Sequence, residues 1–151
     1  MTKRDTITSL DTLVRVRSTE VERLQTALAK KEATRARYQA SVERLTALAE
    51  GSGPSGQQAD ARALSPALAI NCGNYKQAVF ALADTHRTDL QLHEADMAVA
   101  QQNLAHAWTK RELLGKVLEQ HETAYARAQE RTQRKREDEI ATQSWLARQA
   151  G

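Results

Sequence analysis

Over the first third of the chain, apolar residues return in alternating steps of three and four. Ile7, Leu10, Val14, Val21, Leu24, Leu28, Tyr38, Val42, Leu45 and Ala49 follow this rhythm, and Arg17, Lys31 and Arg35 fill its remaining positions. The alternation is the a/d rhythm of a coiled coil and lasts about six heptads, longer than a helix packed on a globular core needs. No stretch shows the period of two that a strand requires. A second seam runs through Tyr75, Val79, Leu82, His86, Leu90, His93, Met97, Ala100, Leu104, Ala107, Arg111, Leu114 and Leu118. Its step of four after four at Leu82–His86–Leu90 reads as a local stutter.

Punctuation sets the boundaries. Thr2 followed by Asp5 has the form of a capping box, so the first helix is expected over about 3–50. Gly51 is placed as the glycine after the helix, and Gly-Ser-Gly-Pro-Ser-Gly opens a flexible linker over 51–60. Asn71-Cys72-Gly73-Asn74 interrupts the pattern, and Asn74 with Gln77 again resembles a cap. A linker and tip over 51–73 and a main second helix over 74–148 follow, with Ser65-Pro66 as the alternative start. The fold class is therefore all-α: one elongated two-helix antiparallel coiled-coil hairpin over 1–151, with a long overhanging C-terminal helix.

An antiparallel register pairs positions whose numbers sum to 124 or 125. Ile7 then meets Leu118, Leu28 meets Met97, Val42 meets Leu82, and Leu45 meets Val79. Lys31 falls opposite His93 with Glu94 beside it, Arg35 falls beside Asp89, and Arg17 faces Ala107 with Trp108 close enough for a cation–π contact. The paired part is roughly 65 Å long, and residues 119–150 overhang it by roughly 45 Å. That overhang holds few apolar residues, chiefly Tyr125, Ile140, Trp145 and Leu146, among many charges. A helix with no apolar face to bury is marginal in water, so this one makes sense if another assembly receives it.

Composition adds two constraints. Aromatic residues are 4% of the chain, too few for the compact core of a sandwich or an α/β fold. The net charge of +3 is spread as interleaved opposite charges, the habit of a solvated coiled coil more than of a nucleic-acid footprint. Cys72 is the single cysteine, so no intramolecular disulfide forms. No signal peptide and no membrane-spanning stretch is apparent, which points to the cytoplasm.

Candidate chemistry is sparse. Gly51–Gly56 lacks the Lys-Ser/Thr of a phosphate loop. Cys72 has no histidine nearby in sequence and reads as an inert thiol in an interhelical turn. His86, Asp89 and His93 share a helical face that could reach a metal, but as polar seam residues that fix register they need no ligand. Arg131, Arg134, Lys135 and Arg136 are flanked by Glu130, Glu137, Asp138 and Glu139, so these charges read as helix-stabilising pairs before they read as a nucleic-acid site. Trp145 and Leu146 suit either end packing or anchoring in a partner pocket. No catalytic constellation, cofactor site or metal site is expected.

The N-terminal heptad helix, with Leu24, Leu28 and the Arg35–Tyr38–Val42–Leu45 stretch, resembles the FliJ/YscO-type stalk proteins of type III secretion, including the Hrp-type members of plant-associated bacteria. The run from Ala128 to Ala141, a basic and Gln-rich segment followed by Asp-Glu-Ile-Ala, is similar to that family's habit. The Gly-rich insert at 51–56 departs from it. The resemblance implies a non-enzymatic central stalk. Its terminal end would enter a hexameric secretion ATPase ring through Arg127, Arg131, Arg134, Arg136 and Trp145. Its turn end would meet the cytoplasmic domain of the large export-gate protein near Tyr38, Val42, Leu45, Tyr75, Val79 and Leu82. Export chaperones are further implied partners, and the implied location is the cytoplasmic face of the inner-membrane secretion apparatus. The competing readings are a generic cytosolic coiled-coil adaptor and a nucleic-acid-binding hairpin.

Overall fold

The computed structural model describes residues 2–51 and 65–151. They form two helices, α1 (Lys3–Gly51) and α2 (Pro66–Gln149), and no strand occurs among the described residues. The fold is an all-α helical hairpin. Apart from Gly51, the expected linker lies outside the described residues.

The first cap forms as the sequence requires. The Thr2 amide donates to Asp5 Oδ2 at 3.0 Å, and the Asp5 amide donates back to Thr2 Oγ1 at 3.3 Å. The Thr2 side-chain hydrogen bond, then its backbone one, holds the Asp5 carboxyl below its ordinary value of 3.8. At the other end of α1, Gly51 is the last helical residue, not a left-handed residue beyond it.

The start of α2 corrects the expected boundary at Asn74. Ser65 is the cap: its Oγ accepts from the Leu68 amide at 3.2 Å, and its carbonyl accepts from Leu68 and Ala69 at 2.9 and 3.1 Å. Pro66 occupies the first helical position, where its missing N–H costs nothing. Asn71-Cys72-Gly73-Asn74 does not interrupt the helix. Each of these residues is a poor helix former, but none is a proline, and a penalty of up to about 1 kcal/mol per residue does not break a helix that is packed on another. Cys72 is thus half-buried within α2 rather than in a turn.

The chain divides into two compact units. Unit 1 comprises Met1–Glu22 with Ala105–Gly151, and unit 2 comprises Arg23–Leu104. In unit 2 the α1 seam is the one read from the sequence: Leu24, Leu28, Lys31, Tyr38, Val42 and Leu45 are half-buried and Ala49 is buried. The α2 seam differs at two places, Tyr75 and Leu82. Its covered positions are Cys72, Lys76, Val79, Ala83, His86, Leu90, His93, Met97, Ala100 and Leu104, a continuous alternation of four and three. Ala83 is 0% exposed and Val79 8%, while Tyr75 and Leu82 are 49% and 48% exposed. The expected stutter is therefore absent. Apolar size points to Tyr75 and Leu82 as seam residues, whereas the helices meet over the smaller side chain of Ala83. In unit 1 the seam positions Ile7, Leu10, Val14, Arg17 and Val21 on α1 and Ala107, Arg111, Leu114 and Leu118 on α2 are covered as expected, and Tyr125 and Ala128, expected in the overhang, are half-buried in the same phase.

Lettering the α1 seam with Val14, Val21 and Val42 as a, and the α2 seam with Ala83, Leu90 and Met97 as a, sorts the interhelical bonds. In an antiparallel pair, g lies beside g on one flank and e beside e on the other. In unit 2, Lys31 (d) pairs with Asp96 (g) on the first flank. Arg35 (a) reaches Glu94 (e) at 3.1 Å, and Arg87 (e) donates to Thr46 (e) at 3.0 Å on the second. In unit 1, Arg111 (a) donates to Ser18 (e) at 3.0 Å, also on the second. The expected neighbour of Arg35, Asp89, is a g residue on the wrong flank. Arg17 (d) leans to the first flank and pairs with Glu20 at 2.9 Å, so the contact with Trp108 (e) does not form.

Two outcomes test this packing. Ala83→Leu overfills a fully covered seam position and is expected to destabilise the chain by about 1–3 kcal/mol, whereas Leu82→Ala, at a half-exposed one, changes stability by no more than about 0.5 kcal/mol. Gly115 sits inside α2, where an added Cβ meets nothing within 4 Å. Gly115→Ala is expected to stabilise by about 0.5–1 kcal/mol. Urea denaturation followed by circular dichroism reads both.

Candidate functional site

Surfaces available to a partner are those the seams do not use. In unit 2 an apolar set lies on the g flank: Leu48 of α1 and Leu68, Tyr75 and Leu82 of α2, each about half exposed. The three α2 residues are spaced by seven, so they form one line along the helix. Beside Leu48, an open depression of about 560 Å³ is lined by Arg44, Ala47, Leu48 and Gly51. Phe80, at an e position, is exposed on the opposite flank. Of the residues singled out from the sequence for the turn end, Tyr75 and Leu82 are thus presented outward. Tyr38, Val42 and Leu45 are half-buried in the seam, and Val79 is buried. Leu48, Leu68 and Phe80 escape the sequence reading. Their signal is an apolar residue one place off the seam, and it becomes legible only when the phase of α2 is known.

The polar centre of unit 2 is built around Tyr38. Its ring lies 6.3 Å from that of His86 and 6.0 Å from that of His93, both tilted by 50°. His93 Nε2 donates to the Lys31 carbonyl at 2.7 Å, which fixes the predicted Lys31–His93 pairing. His86 Nδ1 is buried without a hydrogen-bond partner among the described residues. Asp89 lies on the g flank beside this centre, and among the described residues no group of three or more metal-ligating side chains is positioned to hold an ion. These histidines act as polar seam residues. Beside them, the Lys31 hydrogen bond and then its charge hold the Asp96 carboxyl below its ordinary 3.8.

In unit 1, α2 continues for roughly thirty residues past Leu118, about 45 Å at the helical rise. Arg127, Arg131, Arg134, Arg136 and Trp145 all lie there and all are exposed, as is every residue from Arg131 onward. The structure sets these five along one helix without bringing them into a cluster. The expected pairing of opposite charges over 127–139 does not form among the described residues; the side-chain bond in this run is Gln133 to Glu137 at 3.0 Å. Ordering two long exposed side chains costs about as much as such a pair returns.

The wider comparisons agree with this architecture. The family model described as "Flagellar FliJ protein" matches residues 6–150. Neither the curated proteins nor the solved structures contain a match. Among the described residues no helix is long and apolar enough to cross a membrane.

The Lys31–Asp96 contact predicts a pH response. A carboxyl whose folded-state pKa is depressed contributes stability above its unfolded value, and that contribution disappears as pH falls through the folded value. An NMR titration is expected to place the Asp96 midpoint below 3.8, and Lys31→Met should return it upward. An unchanged midpoint in Lys31→Met would remove the assignment.

Proposed function

The chain belongs to the FliJ family, a family of non-enzymatic, stalk-type components of flagellar and type III export, and on that premise we propose that it is the central stalk of a hexameric secretion ATPase. The observation that carries this reading is the stretch of α2 beyond Leu118: helical, exposed throughout its last two turns and more, and with its charges unpaired among themselves. A lone helix of this kind gains little from its own side chains and gains most from surrounding surfaces. Arg127, Arg131, Arg134, Arg136 and Trp145 would meet the ring lumen. A rod off the axis of a six-fold ring meets each subunit differently, so it favours one nucleotide state at one interface at a time.

At the other end of the reading, the large export-gate protein's cytoplasmic domain would be met by the exposed g line. Tyr75 and Leu82 remain in that set and Leu48 and Leu68 join it. Tyr38, Val42, Leu45 and Val79 contribute by holding the helix pair together. Export chaperones are further proposed partners, and the proposed location is the cytoplasmic face of the inner-membrane secretion apparatus.

The test is stimulation of ATP hydrolysis by the cognate P-loop hexamer. The whole chain is expected to stimulate it, and a chain ending at Ala126 to leave it near its basal rate. Leu82→Asp with Tyr75→Ala should keep the stimulation but weaken binding to the gate domain by about tenfold, near 1.4 kcal/mol. Stimulation that survives removal of 127–151 sinks the ring contact. Absence of any effect on the ATPase favours the adaptor reading instead.

A further inference from the structure

The first flank of unit 1 carries a second apolar surface. Leu13 (g) and Val16 (c) of α1 are 48% and 59% exposed, and Leu113 (c) and Val117 (g) of α2 are 60% and 39% exposed. Arg111 reaches Ser18 at 3.0 Å, which sets this part of α1 beside this part of α2, so the two pairs border the same side of one seam. Each pair is three or four residues apart, which makes a short ridge on each helix with a groove between.

The free charge on this flank is basic. Lys110 (g) lies on the α2 ridge and Lys116 (f) stands behind it, one turn from Leu113, and neither lysine makes an ion pair among the described residues. On the α1 side of this flank the carboxylate Glu20 is engaged by Arg17 at 2.9 Å, and Asp5 by the Thr2 cap. Asp11 and Glu112 lie on the opposite flank, where Asp11 pairs with Arg15 at 3.0 Å and Glu112 with Arg111 at 3.2 Å. We propose that the groove between Leu13–Val16 and Leu113–Val117 docks an amphipathic helix of a partner protein whose apolar stripe is bordered by carboxylates.

Other occupants fit less well. A second copy joined by a two-fold axis would bring Lys110 and Lys116 toward the same lysines of its mate, and like charges across an interface oppose it. A nucleic acid would use the lysines but has no use for four aliphatic side chains between them. A third helix uses both features at once: its apolar stripe covers the ridges, and its carboxylates meet the unpaired ammonium groups.

The experiment uses the full chain and two labelled synthetic helices of about 21 residues. Both carry the same leucine stripe; one borders it with glutamates, the other with lysines. The glutamate helix is expected to bind, more weakly as salt rises, and the lysine helix not to bind. Val16→Asp with Leu113→Asp should weaken binding at least about tenfold, while Lys110→Glu with Lys116→Glu should transfer the preference to the lysine helix. These positions are exposed, so each variant should melt like the parent, and the charge reversal reads the surface even if the double aspartate variant loses helix. Equal binding of both helices, or of neither, overturns the proposal. Self-association of the chain that Leu113→Asp abolishes also overturns it, by making a second copy the occupant. The outcome is independent of the stalk reading, since ATPase stimulation is measured without either helix.

Discussion

A repeat of seven residues leaves each helix one decision: which of its faces is turned to its mate. Once that phase is set, every side chain is assigned to the seam, to a flank or to solvent, and a shift of one residue changes the assignment of all of them. In α1 the phase is overdetermined. Valines recur at a and leucines at d, and the three cationic seam positions are long enough to lift their heads to a flank while their stems stay covered. Lys31 and Arg35 do this in unit 2, one to each side. In α2 the phase is set by smaller differences. Its seam holds Ala83, His86, His93 and Arg111, while Tyr75, Leu82, Leu92 and Val99 stand off it.

That asymmetry explains where the sequence is legible. The hairpin of two helices, the Thr2–Asp5 cap and the α1 seam follow from strong and redundant local signals. Most of the α2 seam does too. The failure is confined to the part before His86, where ranking by side-chain size selects Tyr75 and Leu82 over Lys76 and Ala83. Size is the wrong criterion at a close approach. A methyl group between two backbones gains contact on every side, and a leucine would hold the helices apart. The same stretch hides the start of α2, because Asn71 to Asn74 reads as a break only if the helix is judged by propensity alone. With the phase corrected, Cys72 and Lys76 continue the seam through it.

The register shows what numbers along a chain can and cannot carry. Pairing by sums of 124 or 125 places Lys31 at the level of His93, and the two bond at 2.7 Å. But Arg35 with Glu94 and Arg111 with Ser18 meet at a sum of 129, and Tyr38 lies about equally near His86 and His93, so the side chains meet several places further along than the sums say. The sums say nothing about sides. Arg35 passes over Asp89 and takes Glu94, and Arg17 turns from Trp108 to Glu20, because a residues lean to the e flank and d residues to the g flank. Polar contacts across a coiled coil therefore need both coordinates, level and flank. The sums bear only on the first, and the a/d lettering of the seam gives the second.

The candidate surfaces are products of the same constraint. A residue taken into the seam is committed to holding the helices and is not free for a partner; one place along, the same residue type is presented outward. The corrected phase thus moves Tyr75 and Leu82 from the seam to the outer surface and keeps Val79 within the seam. Tyr125 and Ala128, half-buried at a and d, are the last covered positions of α2. From Arg131 onward every residue is exposed, so no seam selects a phase there and all faces remain open to a partner. A ring that meets this stretch from every side is the kind of partner for which an unphased helix is suited, whereas a single flat surface would favour one apolar stripe that Ile140, Trp145 and Leu146 do not form.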